Sequence, residues 1–262
     1  MTVDAAGSTS PVVRPLQAGL LVLIAAGSFH LAFGDSALSG LVLVYLGCLF
    51  QLRRLPTARQ AFWVGFVAGA GVYVPQMGFL WSIFHLAAIP LWSILALFHG
   101  LTVLLFRGVQ QRLGTRAAVI LAPVVWCGVE YFRSEWWWLR FSWFSVGTVF
   151  DGPPAMLLRA VGVYGAGAVL MAVSAGFLGW AWPRWGRRAA VGAAGFLLAW
   201  TAWSWGMAGR PIGPSPSLRA PIRVAGVQLE FPGLPEVLMA LDRLRQAHPD
   251  AELVLLSEYT FD

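Results

Sequence analysis

The chain contains no lysine, and only 11% of its 262 residues are charged, against about 25% in ordinary soluble domains. All 18 basic residues are arginines, and most lie in short stretches between long apolar runs rather than on one basic face. This distribution argues against a nucleic-acid partner, because a nucleic-acid-binding surface clusters its basic side chains. It is typical of the loops of a membrane protein.

Cysteine is also scarce. Cys48 and Cys127 both lie inside apolar runs, and their spacing fits neither a disulfide framework nor a zinc site. We expect them to be small buried apolar side chains. His30, His85 and His99 are separated along the sequence and lack neighbouring acidic or cysteine partners, so we expect packed polar residues rather than ligands. The sequence therefore predicts no metal and no cofactor.

Apolar residues are abundant instead: 58% of the chain is hydrophobic, with 14 tryptophans and 17 phenylalanines. A membrane span needs about 20 predominantly apolar residues. Seven runs meet this description, which predicts a polytopic α-helical membrane protein: Leu16–Phe33, Ala37–Leu52, Ala61–Phe84, Leu86–Phe106, Ala117–Phe132, Met156–Trp182 and Ala189–Ala208. We expect the first two to form a helical hairpin at Gly34–Ser36, and only His85 separates the third from the fourth.

The arginines predict the orientation of these spans. They are concentrated in alternate loops: Arg14; Arg53, Arg54 and Arg59; Arg107, Arg112 and Arg116; Arg184, Arg187 and Arg188. The positive-inside rule places this set in the cytoplasm, together with the N-terminus. With an odd number of spans, the residues after the last span lie on the outer side.

Small residues form three clusters within the predicted spans: Gly65, Gly69 and Gly71; Gly162, Gly165 and Gly167; and Gly176 and Gly179. Such clusters are typical of helices that pack closely in a membrane. A path along which a lipid approaches the backbone is the alternative, and we expect close packing.

The stretch between the fifth and sixth predicted spans carries charge at a span end. Glu130 and Arg133 are spaced i, i+3, so on a helix they share a face and can pair. Ionisable residues in such places are often functional, although an interfacial ion pair that ends a helix is an equal alternative. Four tryptophans follow, which indicates an aromatic belt on a re-entrant or surface-lying segment: Trp136, Trp137, Trp138 and Trp143. This segment is either a lip for a lipid head group or an anchor without chemistry.

A second domain is predicted after the membrane part. We divide the chain into a helical domain (1–208), a Pro-rich linker (209–219) and a soluble segment (220–262). In that segment a β-branched run (222–229), a helical run (235–247) and a second apolar run (252–257) predict a strand, a helix and a parallel strand with a right-handed crossover. Glu258 follows the second strand, at the sheet edge where ligands bind in such folds; the alternative is a solvated loop carboxylate.

This strand–helix–strand pattern resembles the start of the nitrilase (carbon–nitrogen hydrolase) superfamily. The resemblance is carried by Val-Ala-Gly-Val-Gln228 in the first strand and by Leu-Val-Leu-Leu-Ser-Glu258 in the second. It implies that Glu258 is the general base of a Glu-Lys-Cys triad in a nitrilase-like α/β sandwich.

The membrane part resembles the apolipoprotein N-acyltransferase family. The resemblance rests on a Gly-rich third span followed by Trp81, on Glu130-Tyr-Phe-Arg133-Ser134 with Trp143 downstream, and on Gly162-Val-Tyr164-Gly165. It implies that Glu130, Arg133, Trp143, Trp81 and Tyr164 lie on the lipid side of the site. The family's Gly-Phe-Pro-Trp is here Arg140-Phe-Ser-Trp143.

The resemblance implies a bacterial cell-membrane acyltransferase of lipoprotein biosynthesis, whose partners are a phospholipid acyl donor and a lipoprotein acceptor. A cysteine thioester would carry the acyl group to the N-terminal diacylglyceryl-cysteine. The sequence holds no lysine and no cysteine after Cys127, so two of the three triad roles are empty. We expect a truncated, frameshifted or split enzyme that is inactive alone. The alternatives are a non-catalytic polytopic membrane module or subunit, and a divergent membrane nitrilase with another substrate.

Overall fold

The computed structural model describes residues 2–3, 9–10, 12–149, 156–181, 222–229 and 232–256, together with isolated residues between 186 and 202. The chain divides after Arg210 into two compact units. The first holds the long apolar helices, and the second holds a strand–helix–strand segment. The predicted linker (209–219) and much of the predicted seventh span (189–208) lie outside the described residues.

In the described ranges up to residue 181, the first unit contains six α-helices and several short irregular helical pieces. The α-helices are α1 (Pro15–Gly34), α2 (Val42–Gln51), α3 (Ala58–Gln76), α4 (Phe79–Phe84), α5 (Ala88–Tyr131) and α6 (Met156–Gly176). Short 3₁₀ helices cover Ser36–Leu41, Leu52–Arg54, His85–Ala87 and Val146–Val149, and π-helical turns cover Phe132–Trp136 and Phe177–Ala181. A two-residue strand, β1 (Thr2–Val3), pairs antiparallel with β2 (Thr9–Ser10).

The α1 and α2 helices form the helical hairpin that the sequence predicts. The carboxylate of Asp35 accepts a hydrogen bond from the backbone N–H of Ala37 at 2.8 Å, which satisfies a donor at the start of the 3₁₀ helix that joins them. The ring of Phe29 in α1 meets that of Tyr45 in α2 edge to face, with centroids 4.9 Å apart. Both side chains are buried, so the hairpin is held by its own core.

The prediction of one continuous span over Ala61–Phe84 is wrong, because α3 ends at Gln76 and α4 begins at Phe79. Pro75 lies in the last turn of α3 and has no N–H to donate to the carbonyl oxygen of Gly71 four residues earlier. The Nε2 of His30 in α1 donates to that oxygen instead, at 2.9 Å. The proline therefore ends the helix, and a neighbouring helix satisfies the exposed carbonyl.

The predicted interruption between the fourth and fifth spans is present, because α5 consists of two helical pieces that meet at a kink within residues 107–116. Gly114 breaks the helical geometry there, with φ +83° and ψ 173°, a conformation that favours glycine because it has no Cβ. The predicted boundary near His85 is confirmed: this residue has φ 47° and lies between α4 and α5.

Within the described part of the chain, four helical stretches are long and apolar enough to cross a membrane. They are Pro15–Gly34, Ser36–Arg54, Phe79–Trp136 and Ala160–Gly179. The prediction of a mainly helical chain with several candidate membrane-spanning helices is therefore confirmed. The count of seven spans stays a prediction, since part of the last predicted span is not described.

The α3 and α5 helices pack backbone to backbone, as the first glycine cluster predicts. A Cβ added at Gly65 would lie 2.9 Å from the carbonyl oxygen of His99, and one at Gly69 would lie 2.9 Å from the Cα of Ala96. Gly100 of α5 is equally close to the carbonyl oxygen of Phe62, at 2.9 Å. Small residues on both helices permit this approach, and it brings the following turn of α3 alongside α5.

The second unit contains β3 (Val224–Val227), α7 (Leu234–Ala247) and β4 (Leu253–Leu256). The two strands pair in parallel, with Val224 opposite Leu253, as predicted. Pro235 lies in the first turn of α7, where a proline costs no helical hydrogen bond. Val237 of α7 is 1% exposed, so the helix contributes a buried side chain to this small unit.

Candidate functional site

A small cavity of about 20 Å³, room for about one water molecule, lies within the helical unit. Side chains from α2, α3, α5 and the segment after α5 line it. Its polar lining residues are Tyr45, Tyr73, His99, Thr102, Glu130 and Arg133. All six are at most 5% exposed, which is unusual for such polar groups unless each has a partner.

Glu130 lies near the end of α5, and its carboxylate is hydrogen-bonded to the segment that follows this helix. Its Oε1 accepts a hydrogen bond from the backbone N–H of Val146 at 3.1 Å. Its Oε2 lies beside the buried Nε1 of Trp126, and the indole N–H and the Ser145 hydroxyl both interact with this carboxylate. Both atoms face Gly167 of α6, where an added Cβ would lie 2.8 Å from the carboxylate oxygen and 3.3 Å from the indole nitrogen. The absence of a side chain at this glycine makes room for the carboxylate.

Arg133 reaches across the cavity to α3. One terminal nitrogen donates to the hydroxyl of Tyr73, and the other to the carbonyl oxygen of Trp143 at 3.4 Å. Within the described ranges, Glu130 and Arg133 form no ion pair with each other, so of the two alternatives the interfacial ion pair is not formed. The i, i+3 rule assumes α-helical geometry, whereas Arg133 lies in a π-helical turn. Each charged group binds the segment after α5 instead.

Two tyrosines complete the polar lining. The hydroxyl of Tyr45 is hydrogen-bonded to Nε2 of His99. The ring of Tyr73 meets the imidazole of His99 edge to face, with centroids 5.2 Å apart. His99 is thus a buried and partnered side chain, as expected, and His30 is a half-buried and partnered one. No group of three potential metal ligands occurs in the described part of the chain.

The sequence analysis did not single out Tyr45 or Tyr73. Both lie inside apolar runs of the sequence, and the chain has only five tyrosines. A hydroxyl in a membrane span must find a hydrogen-bond partner, because no water is present to supply one. This rule would have marked both residues as members of a polar site.

Three other candidates lie outside the cavity lining. The ring of Trp143 packs on Phe79 with centroids 5.8 Å apart, and only its carbonyl oxygen contacts Arg133. Trp81 is stacked on Trp92 at 6.3 Å. The Tyr164 hydroxyl donates to Glu135 at 2.5 Å.

Three of the four tryptophans after α5 lie on the surface of the helical unit. Trp136 and Trp138 are 74% and 76% exposed, and Trp143 is 46% exposed. Trp137 turns inward and packs on the ring of Phe98 with centroids 5.7 Å apart.

Glu258 lies outside the described residues. The strand that precedes it, β4, ends at Leu256, and its carboxyl end lies beside that of β3 because the two strands are parallel. The role of Glu258 as a base therefore remains a prediction from the sequence.

The helical unit is that of a polytopic membrane protein, with a buried carboxylate and guanidinium beside a cavity. Residues 18–176 match the family model for the apolipoprotein N-acyltransferase N-terminal domain, which is more than half of the chain. The chain therefore belongs to the apolipoprotein N-acyltransferase family.

Two curated relatives carry that name. The chain is 32% identical over 228 residues to the apolipoprotein N-acyltransferase of Azotobacter vinelandii, an alignment that covers 81% of this chain and 42% of the relative. It is 31% identical over 155 residues to that of Chromobacterium violaceum, which covers 53% of this chain and 29% of the relative. The chain thus spans less than half the length of these relatives.

Proposed function

We propose that this chain is the membrane-embedded unit of an N-acyltransferase, followed by the first strand–helix–strand of its catalytic domain. The reaction transfers a fatty acyl group from a phospholipid to the N-terminal diacylglyceryl-cysteine of a lipoprotein. The observation that carries the proposal is the family match over residues 18–176. The parallel pair β3–β4 supports it, because Glu258 follows β4 in the sequence and ligands of parallel sheets bind beyond the carboxyl ends of the strands.

In this mechanism a cysteine thiolate attacks the ester carbonyl of the phospholipid and releases the lysophospholipid. The α-amine of the lipoprotein then attacks the thioester, which forms the amide and frees the thiol. Glu258 accepts the proton of the thiol and passes it to the departing lysophospholipid oxygen; in the second half it accepts a proton of the amine and returns it to the cysteine sulfur. A lysine stabilises the oxyanion. Because the sequence contains no lysine and no cysteine after Cys127, these two groups come from outside the 262 residues, and we expect the chain alone to be inactive.

The second unit is expected to need further structure around it. Val224, Leu253 and Leu255 of its strands are 53%, 47% and 56% exposed, although apolar side chains of parallel strands are normally covered on both faces. A nitrilase-like sandwich would cover them. We therefore propose that these strands are two members of a larger sheet.

For the membrane arrangement we propose seven spans in the bacterial cell membrane, a cytoplasmic N-terminus and an outer-side catalytic domain. The alternating arginine loops support this orientation. The break at Gly114 supports two spans within Phe79–Trp136, since that stretch of 58 residues is far longer than the roughly 20 that one crossing needs.

We further propose that exposed aromatic side chains of α4 and of the segment after α5 face the lipid substrate. Trp81 and Trp143 are each nearly half exposed, and the Phe79 ring lies against Trp143, so these rings leave apolar surface available to a lipid. Tyr164, Glu130 and Arg133 would support this surface from the helices behind it.

The test is to fuse residues 1–262 to the part of the Azotobacter vinelandii relative that follows the aligned region. Acyl transfer from a phospholipid to a synthetic diacylglyceryl lipopeptide is then measured in detergent. We expect transfer by the fusion and none by the 262-residue chain. Transfer by the chain alone, or a folded fusion without activity, would contradict the proposal; the second result would favour a non-catalytic module or another substrate.

A further inference from the structure

The segment between α5 and the 3₁₀ helix Val146–Val149 returns toward the helical unit through irregular backbone. Two of its residues have a positive φ, Arg140 at 45° and Phe144 at 57°, a left-handed conformation that costs energy for any residue with a Cβ. Such a conformation persists only where the surroundings enforce it. The contacts on both sides of Phe144 identify what enforces it here.

Two buried side chains from the end of α5 hold the backbone around Phe144. Arg133 donates to the carbonyl oxygen of Trp143, one residue before it, at 3.4 Å. Glu130 accepts from the N–H of Val146, two residues after it, at 3.1 Å. Ser134 adds a third bond, from its hydroxyl to the carbonyl oxygen of Phe141 at 3.4 Å. All three polar side chains of the Glu-x-x-Arg-Ser stretch therefore bind one returning segment.

The turn at Phe144 directs neighbouring rings in different directions. The Phe144 ring packs inward against Phe29 and Phe33 of α1, with centroids 6.2 and 5.6 Å apart. The ring of Trp143 points outward, where 46% of the residue is exposed. Gly147 completes the attachment, since a Cβ there would lie 2.2 Å from the carbonyl oxygen of Val163 in α6. The segment is fixed to α1, α5 and α6.

We infer that Glu130 and Arg133 are positioning residues whose hydrogen bonds fix the segment 136–147 so that its tryptophans lie in the lipid head-group region. The partner is a bilayer interface. Trp136 and Trp138 are three-quarters exposed, Arg140 beside them is exposed, and tryptophan and arginine are enriched at that boundary. This inference goes beyond the proposed acyl transfer and does not depend on it.

A matched set of variants separates the hydrogen bond of Glu130 from its charge. Glu130→Gln keeps an oxygen that accepts from Val146, whereas Glu130→Met has a similar size but no acceptor. Glu135→Gln is the control, because Glu135 binds Tyr164 rather than the returning segment. Arg133→Lys keeps the positive charge. Its single ammonium group replaces a guanidinium whose two terminal nitrogens donate to the Tyr73 hydroxyl and the Trp143 carbonyl oxygen.

The first readout is amide hydrogen exchange of peptides covering residues 141–149, with the purified 262-residue chain in nanodiscs. We expect exchange in Glu130→Met at least tenfold faster than in the parent, a smaller increase in Arg133→Lys, and parental rates in Glu130→Gln and Glu135→Gln. If Glu130→Met does not fold, Arg133→Lys decides the outcome.

The second readout is the membrane depth of a spin label at position 138, introduced as Trp138→Cys with Cys48 and Cys127 replaced by alanine. The label should lie at the head-group depth in the parent and in Glu130→Gln, and should move toward water in Glu130→Met. Unchanged exchange and unchanged depth in both Glu130→Met and Arg133→Lys would overturn the inference. So would Glu130→Gln behaving like Glu130→Met, since the charge and not the bond would then matter.

Discussion

The Nε2 of His30 lies 2.9 Å from the carbonyl oxygen of Gly71 and takes the place of a missing backbone donor. Pro75 is the residue whose N–H would bond this carbonyl in an unbroken helix. Gln76 donates from its side chain to the Nδ1 of the same imidazole at 3.0 Å. The histidine therefore ties α1 to the end of α3, where the helix stops.

Replacing His30 by alanine is expected to lower the stability of the helical unit by about 1 kcal/mol, because the Gly71 carbonyl loses its partner. In a background with Pro75→Ala, which restores a backbone N–H, the same replacement should cost less. Thermal unfolding of the four chains in detergent gives the coupling energy. Equal losses in both backgrounds would show that the carbonyl does not depend on His30.

Gly65 is expected to tolerate no side chain, because a Cβ would lie 2.9 Å from the carbonyl oxygen of His99. Gly65→Ala should therefore destabilise the unit by about 1–3 kcal/mol through strain between α3 and α5. Gly108→Ala is the matched control, since nothing lies within 4 Å of a Cβ there. The control should be neutral or more stable by about 0.5–1 kcal/mol, because alanine favours helix. Equal melting temperatures for the two variants would contradict close packing at Gly65.

Phe144 offers a test of backbone strain with a matched pair. Phe144→Gly and Phe144→Ala lose the same ring contacts, but only glycine adopts φ 57° without steric cost. We expect the glycine variant to be more stable than the alanine variant by about 1 kcal/mol, measured by thermal unfolding in detergent. Elsewhere in a chain glycine is usually the less stable of the two. An alanine variant of equal or greater stability would show that the backbone relaxes at this position.

Much of the helical unit could be predicted from local sequence. The hairpin between α1 and α2 and the close packing at Gly65 follow from apolar run length and small residues. The break after α3 could not be predicted from hydropathy, because the run of apolar residues continues past Pro75 without interruption. In the second unit, the parallel pairing of β3 and β4 follows from the strand–helix–strand order alone.

The candidate site was harder to predict, because its contacts join distant parts of the chain. Tyr73 reaches Arg133 from 60 residues away, and Tyr45 reaches His99 from 54 residues away. The rule that pairs Glu130 with Arg133 failed because the helix widens into a π-helical turn at Phe132. Glu130 and Arg133 themselves were identified from a simple fact, namely that charge at the end of a span requires a partner.

The measurement that tests the central claim most directly is the acyl-transfer rate of the fusion described above with Glu258→Gln. If Glu258 is the general base, the rate should fall by about 10²- to 10⁴-fold. The melting temperature of the fusion and its affinity for the lipopeptide should stay unchanged. A Glu258→Gln fusion that transfers acyl groups at the parental rate would contradict the account, because this carboxylate would then have no part in the chemistry.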